Sequence, residues 1–186
     1  MKSLNSSAKL AALILLPLLT LGGALGGLAA LTPASTPVPS PMVVTLGQSR
    51  AADLALRASP PDLEAAILAS QLALSQAPYD TSSRLRLAYI DSLDGKLSPE
   101  GVAHLERSYE LLPLDQYVAV WRVGFALNHW GDLTPDLRKK VEAETFAVLA
   151  TRRRGQMLAT LDAVTSPIGI VPAIFWRQRL KSSASR

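Results

Sequence analysis

Two stretches of this 186-residue chain are copies of one pattern. Leu85–Gly101 reads LRLAYIDSLDGKLSPEG and Trp121–Leu137 reads WRVGFALNHWGDLTPDL, offset by 36 residues. The matched positions include Leu85/Trp121, Arg86/Arg122, Gly95/Gly131, Leu97/Leu133, Ser98/Thr134 and Pro99/Pro135. Each copy is an apolar helix, a stop and a restart. The glycine is placed to take the left-handed conformation after a last helical turn. The Ser/Thr-Pro-Glu/Asp triplet then supplies a hydroxyl cap, a proline suited to the first helical position and an acid at the positive end of the helix dipole. Self-similarity at this period predicts stacked helical hairpins and therefore an all-α domain.

Composition agrees with helices over sheets. Aromatic residues make up only 5% of the chain, while alanine and leucine abound. There is no cysteine, which excludes disulfides, thiolate metal sites and a cysteine nucleophile. Charge is unevenly placed. Residues 32–151 carry 10 basic and 14 acidic side chains, whereas residues 152–186 carry 7 basic residues against the single acid Asp162.

Five segments follow from this distribution. Residues 1–9 hold Lys2 and Lys9 and no acid. Residues 10–31 are an uncharged run of 22, long enough to cross a bilayer as a helix. Two readings stand for them, an uncleaved transmembrane signal anchor or a cleaved signal peptide with its cleavage region near Ala29-Ala30. Both leave the two lysines in the cytoplasm and export the rest. Residues 32–47 form a linker, with four prolines in Thr32–Pro41 keeping it extended. Residues 48–166 are the helical domain, and 167–186 an apolar, then basic, tail.

Within the domain, caps and breakers place helices over Ala51–Ala58, Asp62–Gln76, Thr81–Asp94, Pro99–Leu112, a stretch capped by Asp115, Pro135–Ala150 and Gly155–Val164. The stretch after Asp115 is apolar nearly all round through Trp121, Val123, Phe125, Ala126 and Leu127, which predicts burial of Trp121. Three hairpins plus a covering helix is the expected arrangement.

The residues Ala66…Ala73-Leu74…Pro78 and Gly101…Ser108-Tyr109…Pro113, with the pairs Leu87-Ala88 and Val123-Gly124, resemble a degenerate tetratricopeptide repeat over roughly 61–150. An aromatic four places before Leu87 is missing, and Trp121 is displaced by one residue. The resemblance implies a concave scaffold for protein partners without catalysis. The single span, the Pro-rich spacer, LSQAPYDTSSRLRLAYIDSLDGKLSPEG and LRKKVEAETFAVLA together look like small membrane-anchored accessory proteins of bacterial polysaccharide biosynthesis and export.

No catalytic or cofactor motif is present, and no cofactor or metal is expected. His104 and His129 lack partners at ligand spacing, and His129 reads as a capping or packing residue. Asp91 and Asp94 read as a solvated helix end. Arg86 and Arg122 occupy the same place in both copies. They either line a groove for an acidic partner or pack their stems between helices with their heads in water. Trp130 joins them as a candidate platform for a partner or a sugar. In the tail, Pro167–Trp176 precedes cations, and Phe175, Trp176, Arg177, Arg179 and Lys181 are candidates for a membrane interface. Packing into the domain's own groove and a second span from Met157 are the other readings. The expectation is a non-enzymatic scaffold, single-pass in a bacterial inner membrane and facing the periplasm. Its partners would be membrane proteins of an envelope assembly machinery and the lipid bilayer, with no nucleic acid. Direct glycan binding, or activation of an envelope enzyme, is the alternative.

Overall fold

A computed structural model describes residues 41–184, with side chains for 45–180. The segments 1–9 and 10–31 and most of the linker lie outside the described residues, as does the side chain of Lys181. All regular structure among the described residues is helical: eight α-helices and two short 3₁₀ turns. The described residues divide into two compact units, with the boundary between Ser83 and Arg84.

In the first unit, α1 (Pro41–Arg57) packs on α2 (Leu63–Gln76). Helix α1 is longer than expected, because it starts at Pro41, inside the stretch read as linker. Proline at a first helical position surrenders only a donor that would be unpaired anyway. Asp62 caps α2 by accepting from the Ala65 N–H at 3.0 Å. Small residues (Ala52, Ala66, Ala69, Ser70, Ala73) fill the interior, so the backbones approach closely.

The second unit begins within α3 (Thr81–Asp91) and continues with α4 (Pro99–Leu111), α5 (Ala119–Asn128), α6 (Pro135–Leu149), α7 (Arg154–Asp162) and α8 (Pro167–Ala184). Both predicted restarts are present. Ser98 and Thr134 each accept from the N–H three residues on, Gly101 and Leu137, at 3.2 Å, and Pro99 and Pro135 open α4 and α6. Leu97 and Leu133 are buried and belong to the core of the unit.

The two turns nevertheless close differently. Gly95 takes the left-handed conformation with φ +89°, and Gly131 does not, sitting instead in the 3₁₀ turn Trp130–Asp132. In the first turn, Asp91 is no solvated helix end. Its carboxylate accepts from the Ser98 N–H and hydroxyl, both at 2.7 Å. The second turn has Leu127 at the matched position, and Arg138 holds it instead by donating to the Trp130 carbonyl at 3.1 Å. Asp132 couples the turns, accepting from the Leu97 N–H at 3.2 Å.

Asp115 does not cap α5 directly. It accepts from the Tyr117 N–H at 2.9 Å in a turn ahead of the helix, and α5 starts four residues on, at Ala119. Helix α5 then packs against α6, α7 and α8, around a core that includes Leu105, Val123, Leu127, Leu137, Val141 and Met157.

Candidate functional site

Helix α5 organises the second unit's chemistry on two faces. Inward, Arg122 is completely buried. Its Nε donates to Glu144 Oε2 at 3.1 Å, and Nη2 makes a shorter contact with Oε1. Nη1 donates to the Ser108 carbonyl at 3.0 Å, and Nη2 to the Leu112 carbonyl at 3.1 Å. These are carbonyls at the end of α4: that of Ser108 also accepts from the Leu112 N–H at 3.2 Å, and that of Leu112 lies at the cap, past the last intrahelical donor. The guanidinium carbon also lies 3.9 Å from the centroid of the Tyr109 ring. Burial pushes the Tyr109 hydroxyl well above the ordinary phenol range, with the charge on Glu144 adding to the shift and Arg122 opposing it.

Both sequence readings of Arg122 are therefore corrected. It lines no groove and its head is not in water. A charge at the centre of the unit survives because every guanidinium nitrogen has an acceptor. Arg86, its match, is half-buried, and the position that matches Glu144 is Ser108.

Outward, Trp121 stacks on Phe125 with centroids 5.0 Å apart and planes 10° apart, and Phe125 meets His129 at 4.8 Å. Spacing of four residues lines these rings up along one helix face. Trp121 is 45% exposed, which corrects the expectation that it fills the core. The inward stripe of α5 is taken by Arg122, Val123 and Ala126, leaving Trp121 at the edge. Burial moves the His129 pKa below the usual imidazole value, against the pull of Asp132. Trp130 presents no open platform. It is half-buried, edge-on to Trp176 at 5.6 Å, with the Arg138 guanidinium 5.5 Å from its ring.

The tail is a helix with two apolar faces. Inward, Trp176 is 3% exposed and meets Trp130 and Phe146 edge-on, so it has no surface to give a membrane. A Cβ on Gly169 would stand 1.8 Å from the Leu127 carbonyl oxygen, so only glycine permits α8 to approach α5 this closely. Asn128 Oδ1 accepts from the Thr165 N–H at 2.9 Å and from the Ser166 N–H at 3.3 Å, pinning the start of α8 to the end of α5. Groove packing thus describes the inner face. Outward, Ile168, Ile170, Val171, Ile174 and Phe175 remain exposed. The aliphatic members were not singled out from sequence; their signal was the lack of any polar residue between Pro167 and Trp176. Arg177 pairs with Asp162, and Arg179 with Glu142 at 3.3 Å while covering the Phe146 ring.

No helix among the described residues is long and apolar enough to cross a membrane, and α7 and α8 are separate helices joined by a turn, so a span from Met157 does not form. No three His, Asp or Glu side chains among the described residues gather to hold a metal. Compared with protein-family models, curated proteins and solved structures, the chain gave no match.

Proposed function

We propose that this chain is a membrane-anchored, non-catalytic interaction scaffold built of tetratricopeptide-like hairpins. In this reading it is an accessory factor in the assembly or export of a cell-surface polysaccharide. The observation that carries the scaffold reading is the Trp121–Phe125–His129 ladder, whose outermost ring is left half in water on a rigid, well-packed helix. Tryptophan and tyrosine anchors on preorganised elements supply most of the affinity at protein interfaces, and Tyr117 is exposed just ahead of the same helix. The charged groups inside the unit are used up holding α4, α5 and α6 together. The uncharged run 10–31, with lysines only before it, supports a single-pass anchor with the domain in the periplasm. The partner is then a membrane protein of the same envelope machinery.

The test is genetic and biochemical together. Deleting the gene in its own host should reduce surface polysaccharide, and the wild-type gene should restore it where Trp121→Ala, although folded, does not. Unchanged polysaccharide in the deletion strain would sink the assembly role. Full restoration by Trp121→Ala would remove the aromatic ladder from it. Direct glycan binding remains the second reading because the exposed indole also suits a sugar face. Quenching of tryptophan fluorescence by the host's own oligosaccharide, lost in Trp121→Ala, would select it.

A further inference from the structure

The outer face of α8 is a second uncovered surface with a different character. At about 100° per residue, Ile170, Ile174, Val171, Phe175 and Ile168 sweep an arc of roughly 160° around the helix. Val171 is 68% and Phe175 60% exposed. Arg177 bounds one side of the arc and Arg179 the other, and α8 contains no acidic residue. The face is fixed in place, since Gly169, Ala173 and Trp176 bury the opposite side against the unit.

We infer that this face is a membrane-interface site that seats α8 in the plane of an anionic lipid leaflet. A protein partner would need polar groups to set register, and between the two arginines the arc offers only Gln178, one turn beyond Ile174. An apolar band edged by arginines instead matches acyl chains below and phosphates at the rim. The pairs Arg177–Asp162 and Arg179–Glu142 lie at the surface, where such pairs are weak, so both guanidiniums can exchange a carboxylate for a lipid phosphate. The rest of residues 152–186 adds basic charge of the same sign, favouring anionic headgroups. This inference rests on the membrane-anchored reading above, because tethering raises the local concentration of an otherwise weak interfacial contact.

The absence of cysteine allows single spin labels on the full-length chain. Labels are placed at Val171→Cys and, as a water-exposed reference on α4, at Ala103→Cys, in vesicles of phosphatidylethanolamine with phosphatidylglycerol. Collision with oxygen should exceed collision with a water-soluble nickel chelate several-fold more at position 171 than at 103. The excess should shrink in pure phosphatidylcholine, at high salt, and when Phe175→Ser is added. Equal accessibility at the two positions overturns the inference. Spin–spin broadening at 171, which marks a second copy, overturns it too, and protection indifferent to headgroup charge overturns the anionic assignment. A chain that fails to float with the vesicles refutes the anchor itself. One that floats with position 171 in water refutes only the seat of α8.

Discussion

Replacing Arg122 with methionine keeps an apolar stem of similar reach and removes the guanidinium. Glu144 is then left with its carboxylate 1% exposed and no cation. The carbonyls of Ser108 and Leu112 lose the donor that reached them at 3.0 and 3.1 Å. Breaking one side of a buried pair costs about 3–5 kcal/mol, chiefly through the uncompensated charge that remains. Removing both charges in Arg122→Met/Glu144→Leu should cost much less. What persists is the loss of donors to the end of α4, about 1–2 kcal/mol. The double-mutant cycle should therefore show a coupling of at least about 2 kcal/mol. Urea unfolding of the chain in mild detergent, followed by far-ultraviolet circular dichroism, measures all three variants. A single variant as stable as wild type, or a double variant no better than Arg122→Met, would refute the claim that this pair holds α4, α5 and α6 together through its charge balance.

Tyr109→Phe removes a buried hydroxyl that has no hydrogen bond, and should leave the unfolding midpoint unchanged or raise stability by up to about 1 kcal/mol. Trp176→Ala should cost about 3–5 kcal/mol as a large core truncation. Trp121→Ala should cost less, about 1–3 kcal/mol, from half of a large side chain's burial and its stack on Phe125, and thermal melts of the two will show whether the ranking is right. Gly169→Ala sets a methyl against the Leu127 carbonyl, and should detach α8, seen as loss of near-ultraviolet tryptophan signal with most helix retained. His104 and His129 both have their pKa lowered in the fold, in each case mainly by burial. The unfolded chain therefore takes up protons more readily, so stability should hold above the ordinary value of 6.5 and fall as pH drops below it. A His104→Gln/His129→Gln variant with the same acid slope as wild type would contradict this.

The parts of the fold that were legible in the sequence are those dictated by local rules. Serine, threonine and proline at fixed offsets placed the starts of α4 and α6, because a cap and a proline act within one turn. Leu97 and Leu133, matched in the two copies, are both buried. Three-dimensional choices were less visible. Trp121 is expected inside because α5 is apolar nearly all round, yet Arg122, Val123, Ala126 and Leu127 already fill the inward side of the helix, and the largest side chain is left half in water. The tail read as a candidate interface because aromatics precede cations. Neighbouring residues on a helix point about 100° apart, so Phe175 and Trp176 separated, one to solvent and one to the core. Asp91 looked like a solvated acid because its partner, Ser98, lies across a turn whose closure had to be known first.

The two matched arginines show what a sequence repeat carries and what it leaves free. An offset of 36 equates Arg86 with Arg122, and equally equates Ser108 with Glu144. Repetition preserves helix phase, so both arginines project from equivalent points of α3 and α5. It does not preserve charge partners. The position that holds Ser108 in the first copy holds Glu144 in the second, and Ser108 itself reaches Arg122 from α4, its carbonyl and hydroxyl both receiving Nη1. One arginine thus ties α4, α5 and α6 to each other at a single buried point. A charge held this way needs its acceptors in place, which makes it a stricter condition on helix register than the leucines around it. Hydrophobic residues tolerate repacking when volume is conserved. The guanidinium tolerates only the arrangement in which α4 ends where its carbonyls can be reached and α6 turns Glu144 inward. The exposed ring of Trp121, one residue away on α5, inherits that fixed position, which is what an interaction surface on this helix requires.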